Sequence, residues 1–103
     1  MTNATVARLA DLVAYQEGSI VSRPLLHKKT GNVTLFAFDQ GQQLSEHTSP
    51  FEALVFVLEG EARIEIAGQP FDLRQGEMIL MPADRPHAVK APARMKMCLV
   101  MIL

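Results

Sequence analysis

Two histidines carry most of the chemistry that this sequence can offer. Of the three in the chain, His47 lies six residues after Gly41 and His87 eleven residues after Gly76, each at the mouth-side end of a predicted strand. Imidazole is the commonest protein metal ligand and the one side chain whose ordinary pKa lies near neutrality. A pair in a small domain therefore points to a metal, to general acid–base work or to hydrogen bonding of a polar ligand. Spacing alone does not decide among these, because a histidine on an apolar strand is more often packed in a core or on a rim. His27 stands beside Lys28 and Lys29 near a turn and reads as solvated. The single cysteine, Cys98, excludes an internal disulfide and a thiolate zinc site, and its apolar surroundings read as a buried small hydrophobe. Met78, Met81, Met95, Met97 and Met101 raise the thought of a thioether copper site. Met95, Met97 and Met101 fall on one face of a strand, however, which is the pattern of core filling.

The elements that must position these residues are strands. From Ser19 onward, β-branched and aromatic runs alternate with turn signals such as Thr30-Gly31-Asn32, Glu59-Gly60 and Arg74-Gln75-Gly76. Nine strands are predicted, over Ile20–Lys28, Val33–Phe38, Leu44–His47, Ala53–Leu58, Glu61–Ile66, Phe71–Leu73, Met78–Met81, His87–Ala91 and Arg94–Leu103. Glu61–Ile66 alternates cleanly, with Ala62, Ile64 and Ile66 facing inward. Ala53–Leu58 and Met97–Leu103 are apolar on both faces and need cover on both. Before the strands, Val6, Leu9, Leu12 and Val13 have the spacing of about two helical turns, too short to be stable without docking. The expected organisation is an arm over residues 1–18 packed on an all-β barrel over residues 19–103.

With 103 residues the chain has the size of one domain, small enough that surplus apolar surface calls for a partner subunit. Ten Lys plus Arg against eleven Asp plus Glu give a net charge of −1 with no basic cluster, so nucleic acid is not an expected partner. Neither is a membrane, since the longest apolar run, Met97–Leu103, cannot cross a bilayer. The first eighteen residues contain no continuous apolar stretch of signal-peptide length, so the expected location is the cytoplasm.

The stretch Gly41–Gly60, GQQLSEHTSPFEALVFVLEG, resembles the first motif of the cupin superfamily, G-(X)5-H-X-H-(X)3,4-E-(X)6-G. Gly76–Ala91, GEMILMPADRPHAVKA, resembles the second, G-(X)5-P-X-G-(X)2-H-(X)3-N. Gly41, His47, Gly60, Gly76, Pro82 and His87 fall on motif positions. The resemblance implies a small single-domain conserved-barrel cupin, an RmlC-like jelly roll. It also implies a metal cage of three histidines and one glutamate, of which His47 and His87 remain while Ser49 and Ala53 stand at the other two positions. Asp84 and Ala91 depart from the second motif. Glu52 is the candidate substitute ligand, although strand alternation aims it at the other face unless a bulge intervenes. The resemblance further implies a pocket lined by His47, Ser49, Ala53, Val55, Val57, Met78, Leu80, His87 and Val89.

Two functions follow as expectations. One is a metal-independent small-molecule binder anchored on His47 and His87. The other is a metal-dependent oxygenase, isomerase or decarboxylase, with Zn, Ni, Mn or Fe held weakly by His47, His87 and Glu52 or solvent. A homodimer is expected through the C-terminal strand.

Overall fold

Regular alternation and closely spaced turns give nine antiparallel strands in a computed structural model that describes residues 4–103. They are β1 (Ile20–Lys28), β2 (Gly31–Phe38), β3 (Gln43–His47), β4 (Glu52–Glu59), β5 (Glu61–Ile66), β6 (Gln69–Arg74), β7 (Met78–Met81), β8 (His87–Lys90) and β9 (Met95–Ile102). Two sheets face each other, in the orders β1-β2-β9-β4-β7 and β3-β8-β5-β6. All nine strands expected from the sequence form, and the all-β barrel is the observed architecture. The helix expected over Val6–Val13 shrinks to one 3₁₀ turn at Leu9–Leu12, with Val6 fully exposed. Eight residues make too few helical hydrogen bonds to offset nucleation, so packing dictates the backbone instead.

Between the sheets lies the main core. Phe38, Val55, Val57, Ile64, Met95 and Met97 are sealed within it, and Ala53, Ala62, Leu73, Met81 and Val89 complete it. Met95 and Met97 are core filling, as their shared strand face requires, and Met101 packs at the margin. The β4–β5 connection crosses from one sheet to the other through Gly60, whose φ is +78°. A side chain there would overlap the carbonyl oxygen of Arg94. Only glycine meets both demands.

A second cluster covers part of the outer face of the larger sheet. Val13 of the arm is buried on Leu35, Ala37 and Cys98, with Leu12, Tyr15 and Leu58 packed around them. Polar contacts pin this arm. Lys96 Nζ donates to the Ala10 carbonyl at 2.6 Å and Arg23 to the Leu12 carbonyl at 2.9 Å. Tyr15 donates its hydroxyl to Glu59 at 2.6 Å, with the Arg94 and Lys96 cations over its ring. Burial and the Glu59 carboxylate push the Tyr15 phenol well above its ordinary range. Cys98 is buried beneath the arm, which raises its thiol pKa and leaves it unreactive.

The arm leaves much of this face uncovered. Register places Leu80, Leu54, Val100, Val33 and Leu26 side by side across all five strands, an aliphatic row on the outer surface. Its two ends, Leu80 and Leu26, are more than half exposed, as is Ile102 nearby. Among the described residues no helix is long and apolar enough to cross a membrane.

Candidate functional site at the barrel mouth

The smaller sheet turns two stacked rows of side chains inward. The deeper row runs Leu44, Val89, Ile64 and Phe71 through β3, β8, β5 and β6. Above it, at the mouth, the same four strands place His47, His87, Ile66 and Gln69. A bulge sets the first of these positions. Leu44 pairs with Val89 and His47 with His87, so three residues of β3 match two of β8. Unbulged alternation would put Glu46 on the inner face and His47 outside; the extra residue reverses this.

The two imidazoles meet edge to face, with centroids 4.3 Å apart and planes at 68°. His87 is 7% exposed, whereas His47 is open to solvent. Each ring is tied back to its own strand. His47 Nδ1 lies 2.9 Å from the Ser45 carbonyl and His87 Nδ1 lies 3.3 Å from the Arg85 carbonyl. A carbonyl oxygen only accepts, so in these bonds Nδ1 carries the proton and Nε2 keeps its lone pair for a ligand. Burial first, and then the neighbouring His47, hold the His87 pKa below the usual 6.5, and the Arg85 carbonyl partly opposes the shift. His87 is therefore neutral at physiological pH, a hydrogen-bond acceptor at Nε2.

The remaining predicted site residues scatter. Ser49 lies beyond the end of β3, where its hydroxyl accepts from the Phe51 amide at 3.1 Å and its carbonyl from the Asp84 amide at 2.8 Å. Ala53 faces inward but is sealed opposite Met81 and Met101. Val55, Val57 and Val89 belong to the packed core, so they floor the mouth rather than line an open cavity. Met78 and Leu80 point outward, 47% and 53% exposed. The inward positions of β7 are Ile79 and Met81, because Ala53 and Val55, their partners, face the core. The pocket expectation had this strand one residue out of phase.

Glu52 is exposed at the start of β4, next to inward-facing Ala53 and opposite Ile102 on the outer face. No bulge brings it to the histidines. Among the described residues, no three His, Cys, Asp or Glu side chains converge to hold a metal ion. Two imidazoles fall short of the three protein ligands that a catalytic zinc site keeps, so the donors present do not fit a protein-caged divalent ion. A surface concavity of about 500 Å³ lies at the opposite end around Gln43, Arg63, Arg74 and Lys90. Its cations are already paired, Arg63 with Asp72, Arg74 with Glu61 and Lys90 with Glu65.

Residues 34–103 match the family model described as a cupin domain. The chain belongs to the cupin family. Solved cupins and their relatives superpose on it closely. A conserved protein of unknown function from Streptococcus pyogenes is 33% identical with a TM-score of 0.93, over 99% of this chain and 90% of that one. A cupin superfamily protein from Desulfitobacterium hafniense is 27% identical with a TM-score of 0.93, over 100% and 94%. A cupin 2 conserved barrel domain protein from Leptotrichia buccalis is 40% identical with a TM-score of 0.89, over 91% of this chain and 46% of that one. Among curated proteins, polyketide synthase CurC of Streptomyces cyaneus is 32% identical over 59 residues, which span 56% of this cupin and 38% of that protein.

Two features of this cupin's mouth escaped the sequence reading. One is the bulge in β3. The other is the continuation of the histidine row through Ile66 to Gln69, which local sequence cannot reveal because it depends on cross-strand register.

Proposed function

We propose that this cupin binds a small molecule at the barrel mouth through His47 and His87, without a metal caged by protein ligands. The observation that carries the proposal is the imidazole pair itself, with both Nδ1 atoms tied back and both Nε2 atoms left for a ligand. Neutral His87 accepts a hydrogen bond from a hydroxyl or protonated acid, and the more exposed His47 presents its own Nε2 beside it. A packed apolar floor excludes water from beneath the bound molecule and strengthens those bonds.

Metal analysis of chelator-free protein, beside imidazole NMR of the same sample titrated with small hydroxylated compounds, tests this reading. Substoichiometric metal together with ligand-dependent shifts of both rings is the expected result. A full equivalent of Zn, Ni, Mn or Fe between the histidines would overturn it in favour of a metal-dependent cupin enzyme.

The same reading includes a homodimer. The row Leu80, Leu54, Val100, Val33 and Leu26 is a contiguous apolar strip beside half-exposed Phe56 and Met78. Monomeric proteins seldom leave such a patch in water. A second copy turned about a two-fold axis sets the strip against itself, burying both at once.

A further inference from the structure

The smaller sheet ends at β6 and the larger at β7, so the free edges of both border an opening in the barrel wall. At the mouth end of this opening is a cavity of about 320 Å³, with Ile66, Phe71 and Ile79 in its walls and Gln69 and Arg85 among its polar residues. Ile66 and Gln69 are the last two members of the row that begins at His47 and His87. The cavity is thus the continuation of the histidine site across the sheet. Adjacent strands are about 4.8 Å apart, so His87 and Gln69, two strands apart, are separated by roughly 10 Å.

Arg85 is unusual among the arginines. Arg8, Arg63, Arg74 and Arg94 each pair with a carboxylate, and Arg23 donates to the Leu12 carbonyl. Among the described residues the Arg85 guanidinium has neither kind of partner. It sits between Pro86 and Asp84, whose φ is +63°, and its carbonyl is the one that orients the His87 ring. A stiff turn therefore places an uncompensated cation and the imidazole at one site. Guanidinium recognises a planar carboxylate by paired hydrogen bonds.

We propose that this cupin's ligand is a small monocarboxylic acid with an apolar body and a hydroxyl at its far end. This assignment rests on the histidine-site reading above. The carboxylate is held by Arg85 with Gln69, the body lies on Ile66, Phe71 and Ile79, and the hydroxyl donates to Nε2 of His87. The cavity volume suits on the order of ten non-hydrogen atoms. A phenol joined to a carboxylate by a short linker has both that size and the required span.

The probe is 4-hydroxyphenylacetate, with 2-(4-hydroxyphenyl)ethanol as the uncharged control, titrated into the full chain by amide and imidazole NMR and by calorimetry. Shifts at Ile66, Gln69, Ile79 and the His87 ring are expected, with at least tenfold weaker binding of the acid to Arg85→Ala and less than twofold change for the alcohol. If the acid shifts only the histidine rings and binds Arg85→Ala as well as wild type, the extension falls while the histidine reading stands. If the acid binds in an Arg85-dependent way but leaves both rings unmoved, the joining of the two sites is overturned and this proposal falls, while the histidine reading is decided by its own titration. Absence of acid binding at millimolar concentration overturns the proposal.

Discussion

Gly60 offers a clean separation of two costs that glycine substitutions usually confound. Gly41, Gly60 and Gly76 all have positive φ, at +85°, +78° and +87°. Alanine at any of them must adopt a left-handed backbone, a cost of about 1–2 kcal/mol. At Gly41 and Gly76 the new methyl would meet nothing within 4 Å, whereas at Gly60 it would overlap the Arg94 carbonyl oxygen and crowd Met95 Cα at 3.2 Å. The obstacles at Gly60 are backbone at the start of β9, and the turn joins interior strands of the two sheets, so relief requires the end of a central strand to shift. Overpacking of that kind costs roughly 1–3 kcal/mol more. Gly60→Ala should therefore lose about 2–5 kcal/mol, against about 1–2 for Gly41→Ala and Gly76→Ala. At about 4–8 °C per kcal/mol for a domain of this size, the difference is a further Tm drop of at least about 4 °C. Thermal unfolding of the three variants at one fixed protein concentration measures it, since the proposed dimer would make stability depend on concentration. Equal midpoints for Gly60→Ala and Gly41→Ala would refute the steric reasoning and leave φ as the whole effect.

Three further outcomes are expected. Because the folded-state pKa of His87 lies below its unfolded value, the unfolded chain takes up more protons, so this group's contribution to stability falls as pH drops below about 6.5 through the folded pKa. Denaturation midpoints across that window should show the slope in wild type and lose it in His87→Gln; a slope unchanged by the substitution contradicts the assignment. Leu80→Glu, at an exposed end of the aliphatic row, should give a monomer by light scattering with little loss of monomer stability. A wild-type protein that is itself monomeric at micromolar concentration would count against the dimer. Ser49→His combined with Ala53→Glu should raise Zn²⁺ or Ni²⁺ affinity by less than about tenfold over wild type in calorimetric titration, because Ser49 lies past the end of β3 and Ala53 is sealed opposite Met81 and Met101. Without metal the double variant should unfold at lower urea, because the Ala53 position is sealed and a carboxylate there is left unpaired. A gain of several orders of magnitude would show that the two positions do converge on His47 and His87.

What the sequence made legible was what local pattern controls. Alternation in Glu61–Ile66 and glycine-marked turns located nine strands, and the spacing of Gly41, His47, Gly76, Pro82 and His87 pointed to the barrel and its mouth. Facing was harder wherever alternation was absent. Met78–Met81 is four apolar residues in succession, so either phase satisfies the sequence, and only pairing of Ala53 with Met81 chooses. Ser49 stands at a motif ligand position two residues past His47, but the chain has left the strand there and the Ser49 carbonyl receives the Asp84 amide. The arm's helical spacing was real, yet eight residues docked by Val13 and Tyr15 obey the sheet beneath them. Gln69 carried no local signal; it lines up with the histidines only after four strands are set in register.

The bulge in β3 makes the donor at the mouth a matter of counting. Leu44 is fixed opposite Val89, and His87 waits two residues further along β8. With one spare residue in β3, an imidazole arrives opposite His87; with the spare residue drawn out of the pairing, the carboxylate of Glu46 would arrive instead. β3 is a five-residue edge strand, where register is weakly enforced, and the His47 bond to the Ser45 carbonyl is a local tie holding the bulged form. Removing Ser45 would take away the surplus and lock His47 into place by plain alternation. The same mouth could thus be rewritten, from two imidazoles to an imidazole and a carboxylate, by a slip of one residue that replaces no side chain in the chain.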